Sequence, residues 1–324
     1  MIRPEDDLLH RGSDDPHWNE SAWFGFTVPE RTITGWVYFY HRPNMNFTVG
    51  GVALWDPSGE NTWNCLHYDW GNPQPLAADA EMYDFTLDNG LSVHCRKPLQ
   101  AFDLNFKGEG CELAMTWDAV NEPQSATRPE AGGLPGGSSD WGKGHYNQGG
   151  RMRGTIVLSG SGTDETIGVD CFYARDHSWG PRNFTNNPRG DFASAIASER
   201  SGFCVLAAAD QPRATDPCVG VDDPVLFGWY LRDGETSRLT SAHRTVTHRG
   251  PDGRPLKVEL HGTDELGREL HALGTCKNTL HWHGYGFMYM YWAYTEWEFD
   301  GQAVAGEEQD YFPLQQARRL LRAQ

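Results

Sequence analysis

The feature that most constrains this chain is a succession of short β-rich runs, each closed by turn residues, with hardly a helical period between them. Residues 33–40 form one such run. Residues 47–55 form another, which ends at Asp56-Pro57-Ser58-Gly59. Asp88-Asn89-Gly90 separates the runs 82–87 and 91–95, and Asn-Gly is a strong hairpin signal. Lys107 to Gly110 separates 101–106 from 112–117 in the same way. Further runs occupy 149–158, 166–173, 203–208, 226–233, 239–248 and 256–261, and an aromatic run fills 281–299. The pattern predicts roughly fourteen to eighteen strands and almost no crossover helices, hence antiparallel barrels or sandwiches rather than a parallel α/β sheet. Pro313 opens one short amphipathic helix over 313–322, with Leu314, Ala317 and Leu321 at helical spacing.

At 324 residues the chain has room for two domains. Residues 1–20 are polar and read as an arm lying on the body. Hairpins recur in both halves, so the expected division is a first β domain over 21–155 and a second over 156–324. The segment 121–144, rich in Gly, Pro, Ser and acids, reads as a long loop, a lid or a linker. Residues 184–200 read as one more helix or a loop.

The formal net charge of −17 argues against nucleic acid and against docking on anionic lipid. No stretch reaches the length of a membrane span, and the N-terminus lacks a signal peptide's apolar core. Seven cysteines without metal-type spacing suit a reduced, cytoplasmic protein whose thiols pack in the core. The sequons at Asn46 and Asn183 are therefore read as chance. The oligomeric state stays open, a homodimer included.

Chemistry concentrates in Tyr173-Ala-Arg-Asp-His-Ser-Trp-Gly-Pro-Arg182, at the end of a strand-like run. Asp176 offers an acid, His177 a titratable base, Trp179 a flat aromatic, and Arg175 and Arg182 two fixed cations. Strand alternation sends Arg175 and His177 to one face and Asp176 and Ser178 to the other, unless a bulge brings them to one rim. Two readings stand. In one, a pocket mouth uses Asp176 as proton donor, with His177 or His145 as partner. In the other, an Arg–Asp knot holds a barrel corner, with Arg175 structural in either case. An arginine paired with Asp176 would lower its pKa and oppose the donor role.

Gly144-His145-Tyr146-Asn147-Gln148 precedes the next strand, and Tyr146 and Gln148 are candidates for orienting a ligand. In the aromatic run, Trp282, His283, Tyr285 and Glu296 are candidates for the wall of a cavity. His281-Trp-His283 is a single HxH pair; a copper cluster needs several, so no metal is expected. P-loop, GxGxxG, GxSxG and HExxH patterns are absent, and no cofactor is implied.

The stretch from Gly144 to Arg182 resembles the central signature of the AttH-like, carotenoid 1,2-hydratase (hydroxyneurosporene synthase) superfamily. The resemblance rests on His145-Tyr-Asn-Gln148 and Arg175-Asp-His-Ser-Trp-Gly-Pro-Arg182. Asp15-Pro-His-Trp-Asn-Glu-Ser21 and Thr295-Glu-Trp-Glu298 with Asp300-Gly301 fit the wider pattern. It implies two lipocalin-like (calycin) β-barrel domains with a ligand cavity in or between them. It also implies a cofactor-free enzyme on a hydrophobic, isoprenoid-like or polycyclic small molecule, by acid-initiated hydration, elimination, isomerisation or cyclisation. A pericyclase and a lipocalin-type carrier without turnover are the alternatives.

Overall fold

Strand after strand forms where the sequence alternates, and the computed structural model describes this for residues 2–10, 13–126, 144–160, 164–182, 189–209 and 222–322. The strands of the N-terminal half are β1 (Trp18–Val28), β2 (Ile33–Arg42), β3 (Phe47–Trp55), β4 (His67–Asp69), β5 (Gln74–Pro75), β6 (Asp84–Thr86), β7 (Leu91–Lys97), β8 (Ala101–Gly108), β9 (Cys111–Ala119), β10 (Gln124–Ser125), β11 (Gly144–Leu158) and β12 (Glu165–Pro181). Those of the C-terminal half are β13 (Arg189–Ser198), β14 (Ser201–Ala209), β15 (Asp222–Arg232), β16 (Glu235–Arg249), β17 (Pro255–Asp264), β18 (Glu269–Trp282), β19 (Met288–Phe299) and β20 (Gln302–Pro313). Helix α1 (Leu314–Arg322) follows.

The first twelve strands make one curled sheet, in the order β4-β3-β2-β1-β12-β11-β9-β8-β7-β6, with β5 on β3 and β10 on β11. The last eight close into a barrel from β13 round to β20, which pairs back with β13. Among the described residues, the second half closes into a barrel and the first stays an open, curled sheet.

The described residues fall into two compact units, 2–55 with 66–182 and 56–65 with 189–322. The division comes after residue 182 and not at 155 as the hairpin count suggested. The reason is β12. It pairs with β11 from Glu165 to Trp179 and with β1 from Arg175 to Pro181, so it lies in the middle of the first sheet. The arm is also shorter than residues 1–20, because β1 begins at Trp18 and is buried along its whole length. Residues 189–198, read as helix or loop, form β13. Residues 127–143 of the expected loop, 184–188, Asn183 and Cys218 lie outside the described residues.

The barrel's core is built from inward alternation: Phe203, Val205, Tyr230, Val258, Leu260, Trp297 and Phe299 are all buried in one cluster. Much of the aromatic load of 281–299 is therefore core. The register of β18 on β19 shifts between Cys276 and Asn278. No described helix is long and apolar enough to cross a membrane.

Candidate active site

β12 carries Arg175, Asp176, His177, Ser178 and Trp179 in sequence, and its neighbours fix where each one points. Gln148, Asn147, Tyr146, His145 and Gly144 of β11 face them in turn. Phe24, Trp23, Ala22, Ser21 and Glu20 of β1 face them from the other side. Directly paired residues share a face and successive residues do not. One face thus gathers Arg175, His177, Trp179, Tyr146, Gln148 and Glu20. The other gathers Asp176, Ser178, His145, Asn147, Ser21 and Trp23. Gly144 is the position that lets Trp179 lie flat: a Cβ there would sit 2.0 Å from the indole.

On the first face Arg175 is fully buried. Its guanidinium meets Asp7 at 3.1 Å and donates to Gln148 Oε1 at 3.0 and 3.1 Å, to Tyr83 at 3.2 Å and to Tyr146 at 3.1 Å. The rings of Phe102, Trp117, Tyr146 and Phe24 surround it, Phe102 closest at 4.5 Å. Asp7 ends the short 3-10 turn Pro4–Asp7 and is itself fully buried. It accepts hydrogen bonds from the Tyr146 hydroxyl and from the Leu99 amide. Burial alone would raise the Asp7 carboxyl, but Arg175, His177 and Tyr146 hold it far below the usual carboxylate range. Gln148 is spent on this clamp, donating to the carbonyls of Leu99 and Asn121. Tyr146 and Gln148, expected to orient a ligand, both hydrogen-bond Arg175.

His177 sits between two carboxylates, 3.6 Å from Asp7 and 3.7 Å from Glu20. Burial favours its neutral form, yet the two acids outweigh burial and raise its pKa. Glu20 accepts from the His10 amide at 2.6 Å and from the Trp18 indole at 3.0 Å, and its other oxygen meets His10 Nδ1 at 3.0 Å. The His10 ring stacks on Trp179 at 4.3 Å. His10 also walls a pocket of about 280 Å³, together with Leu9, Trp18, Pro43, Asn44 and Leu76.

The second face is where Asp176 lies, half-buried. Burial raises its carboxyl to about 7, against the charges of His177, Arg182 and Arg175. Arg175 is on the far face with Asp7, and Arg182 donates to Ser178 Oγ at 2.9 Å. The expected Arg–Asp knot exists, but its acid is Asp7, not Asp176. His145, also half-buried, meets Asn147 Oδ1 at 3.0 Å. Burial, and then Arg182, lower its pKa to about 4. Asn147 is fully buried with no partner for its Nδ2. Trp23 is the cross-strand neighbour of Asp176.

The aromatic-run candidates belong to the second unit. Trp282 is buried, edge-on to Tyr285 at 5.2 Å and to Trp292 at 5.9 Å. His283 is exposed, and exposed Glu296 pairs with Lys277 at 2.9 Å.

The barrel also encloses charge. Asp191, Asp223, Glu308 and Asp310 meet Arg189, Arg244 and Arg249 inside it, with Arg189–Asp223 at 2.9 Å and Arg249–Asp310 at 2.6 Å. Among the described residues, four carboxylates face three guanidiniums there. Burial, opposed by Arg244, pushes Asp191 and Glu308 up, to about 7 and about 8.

Among the described residues, three groups have the ligand types and spacing for a metal ion: His10–Glu20–His177, Glu60–Asp252–His281 and Glu259–His261–His271. Sequence reading missed Asp7, His10, Glu20, Tyr83 and Trp23. Only the motif Asp15 to Ser21, with an acid inside a β-rich run, carried a signal for any of them.

Residues 3–307 match the model of a family described as a domain of unknown function, DUF7064. The chain belongs to that family. No curated protein matches the DUF7064 chain in sequence. Its architecture is similar to an AttH-like protein from Nitrosomonas europaea, with a TM-score of 0.58 and 15% identity, covering 91% of each chain. It is also similar to kievitone hydratase from Nectria haematococca, with a TM-score of 0.52 and 13% identity over 92% of this chain and 89% of that one. A third likeness is to CghA, at 0.56 and 10% identity over 92% and 88%. The DUF7064 chain therefore has the AttH-like lipocalin fold.

Proposed function

We propose that the chain is a cofactor-free acid–base enzyme acting on the double bond of a hydrophobic small molecule, with Asp176 as proton donor and His145 as base. The observation that carries this reading is Asp176 itself: a half-buried carboxyl raised to about 7, with both neighbouring arginines engaged elsewhere. A donor works best when its pKa lies near the working pH. His145, held neutral by its pKa of about 4, differs from Asp176 in the sense an acid and a base in one site require. They are diagonal neighbours across β11 and β12, roughly 7–8 Å apart at the backbone, which leaves space between the side chains for a substrate edge or a water.

In a hydration, the Asp176 proton forms the new C–H bond at one alkene carbon. The charge left on the adjacent carbon is attracted by the Trp23 ring face. Water bonds to that carbon and gives its surplus proton to His145; His145 then releases a proton to solvent and solvent returns one to Asp176. If His145 instead takes a proton from carbon, the alkene is isomerised; if an internal double bond attacks the cation, a ring closes and the new cation loses a proton to His145. Hydration as the reaction type is supported by the fold shared with a hydratase, whereas the isoprenoid-like or polycyclic substrate class rests on the resemblance of the 144–182 motifs, and a fold alone hosts many reactions.

The pocket at His10 favours a second reading, a lipocalin-type carrier without turnover. One panel separates the two: terpenoid, steroid and polyketide alkenes, followed by mass spectrometry for gain of water or rearrangement and by Trp quenching for binding. An acid-dependent enzyme loses about 100-fold or more in rate on Asp176→Asn and keeps its affinity. A pericyclase loses only part. A carrier binds without product, and that outcome refutes the proposal.

A further inference from the structure

The outer wall of the barrel carries a cluster unrelated to the acid site. β17 and β18 pair with His261 opposite His271. Glu259 is two residues before His261, so all three side chains share a face. Val258, Leu260, Leu270 and Ala272 between them point into the core, which makes that face the outer one. Both imidazole Nε2 atoms converge on the same Glu259 oxygen, at 2.8 Å from His261 and 3.0 Å from His271. The rings are stacked with centroids 4.2 Å apart.

Hydrogen bonding is a weak reason for this arrangement. The two rings are 59% and 52% exposed, and exposed ion pairs contribute little. Metal chemistry explains it better. Ligand atoms about 2.0–2.2 Å from one tetrahedral ion stand roughly 3.3 Å from each other. The observed separations are a few tenths of an ångström short of that, and the χ2 torsion of an exposed histidine is soft enough to tilt each ring. The ladder holds the three Cα positions, so little order has to be created on binding. The group Glu60–Asp252–His281 is less suited, because Arg254 already pairs with both of its acids. The buried His10–Glu20–His177 group is committed to the Asp7–Arg175 network.

We propose that Glu259, His261 and His271 form a binding site for a divalent transition ion of the zinc, nickel or copper kind. Two imidazoles and one carboxylate select such ions over magnesium and calcium, which prefer oxygen. Three protein ligands leave at least one position for water or an added ligand.

The test titrates copper, zinc, nickel or magnesium salts alone into the metal-free full chain, by calorimetry and by competition with a chromophoric chelator. The expected order is copper tightest, with magnesium undetected. The double variant His261→Ala/His271→Ala should weaken the site at least about 100-fold, beyond the loss typical of a supporting group. Glu259→Gln should weaken it less, and His281→Ala should leave it. The Cu(II) EPR spectrum of the wild type should show coupling to two nitrogens that the double variant lacks. Exposed side chains make the variants safe for folding, which an unchanged melting curve would verify. Unchanged binding in the double variant, or absent nitrogen coupling, overturns the proposal.

Discussion

Asp7→Ala is the perturbation with the largest effect to be read from this structure. It leaves the Arg175 guanidinium without its counter-charge in a place where both partners are fully buried. The cation keeps Gln148 and two phenols. Breaking a buried pair from one side costs about 3–5 kcal/mol. The Tyr146 hydroxyl and the Leu99 amide lose their acceptor as well, at about 1–3 kcal/mol each when nothing replaces it. These losses overlap, because water fills part of the gap, so the expectation is the top of the pair range, about 5 kcal/mol. One kcal/mol moves the melting temperature of a domain of this size by about 2–4 °C, which gives a fall of about 10–20 °C. Calorimetry of the full chain, with near-UV circular dichroism for the tryptophans of the first unit, would measure it. Deleting residues 1–7 should match the point variant. Asp7→Ala with Arg175→Met should recover part of the loss, since the orphaned charge is gone. A fall below about 2 °C, or a double variant no better than the single, would refute the claim that Asp7 anchors the arm through Arg175.

Three further outcomes are expected. The barrel's buried acids give a pH dependence: burial raises the folded pKa values of Asp191 and Glu308, so the stability their protons confer is fully present below about 4 and lost as pH rises through about 7 to 8. Glu308→Gln should flatten the fall in melting temperature between pH 5 and 8 relative to wild type, and an unchanged slope would count against a shared proton. Gly144→Ala drives a methyl into the Trp179 indole and should cost about 1–3 kcal/mol, with a shift in Trp emission as the ring leaves His10. In the panel assay, rate for Asp176→Asn should stay low at every pH, whereas His145→Ala should lose rate mainly where attacking water must be deprotonated.

The fold was legible because alternation and turn chemistry are local. Asn89-Gly90 specifies its hairpin whatever the rest of the chain does, and Leu314, Ala317 and Leu321 mark a helix by spacing alone. Closure is not local. Whether β12 belongs with what precedes or follows it depends on β1, more than 140 residues upstream in the pairing of Trp23 with Asp176. That is why the division was expected too early. The site divided in the same way. Alternation correctly assigned Arg175 and His177 to one face and Asp176 to the other. Nothing in a polar arm announces that Asp7 turns fully inward while its neighbour Asp6 stays half-buried on the Arg3 amide, because the choice is made by Arg175 and Tyr146, both far along the chain.

That separation has a consequence for how the chain is made. Asp7 leaves the ribosome 168 residues ahead of Arg175. At about 5–20 residues per second, the N-terminal acid waits roughly ten to thirty seconds for the cation that will bury it. Meanwhile β1 can form a meander with β2 and β3, and β11 can join β9, but the two halves of the sheet have no seam until β12 slides between β1 and β11. The strand that carries the chemical motif is thus also the last of its sheet to be synthesised, and the first unit cannot close its seam before the residues of its site have been made.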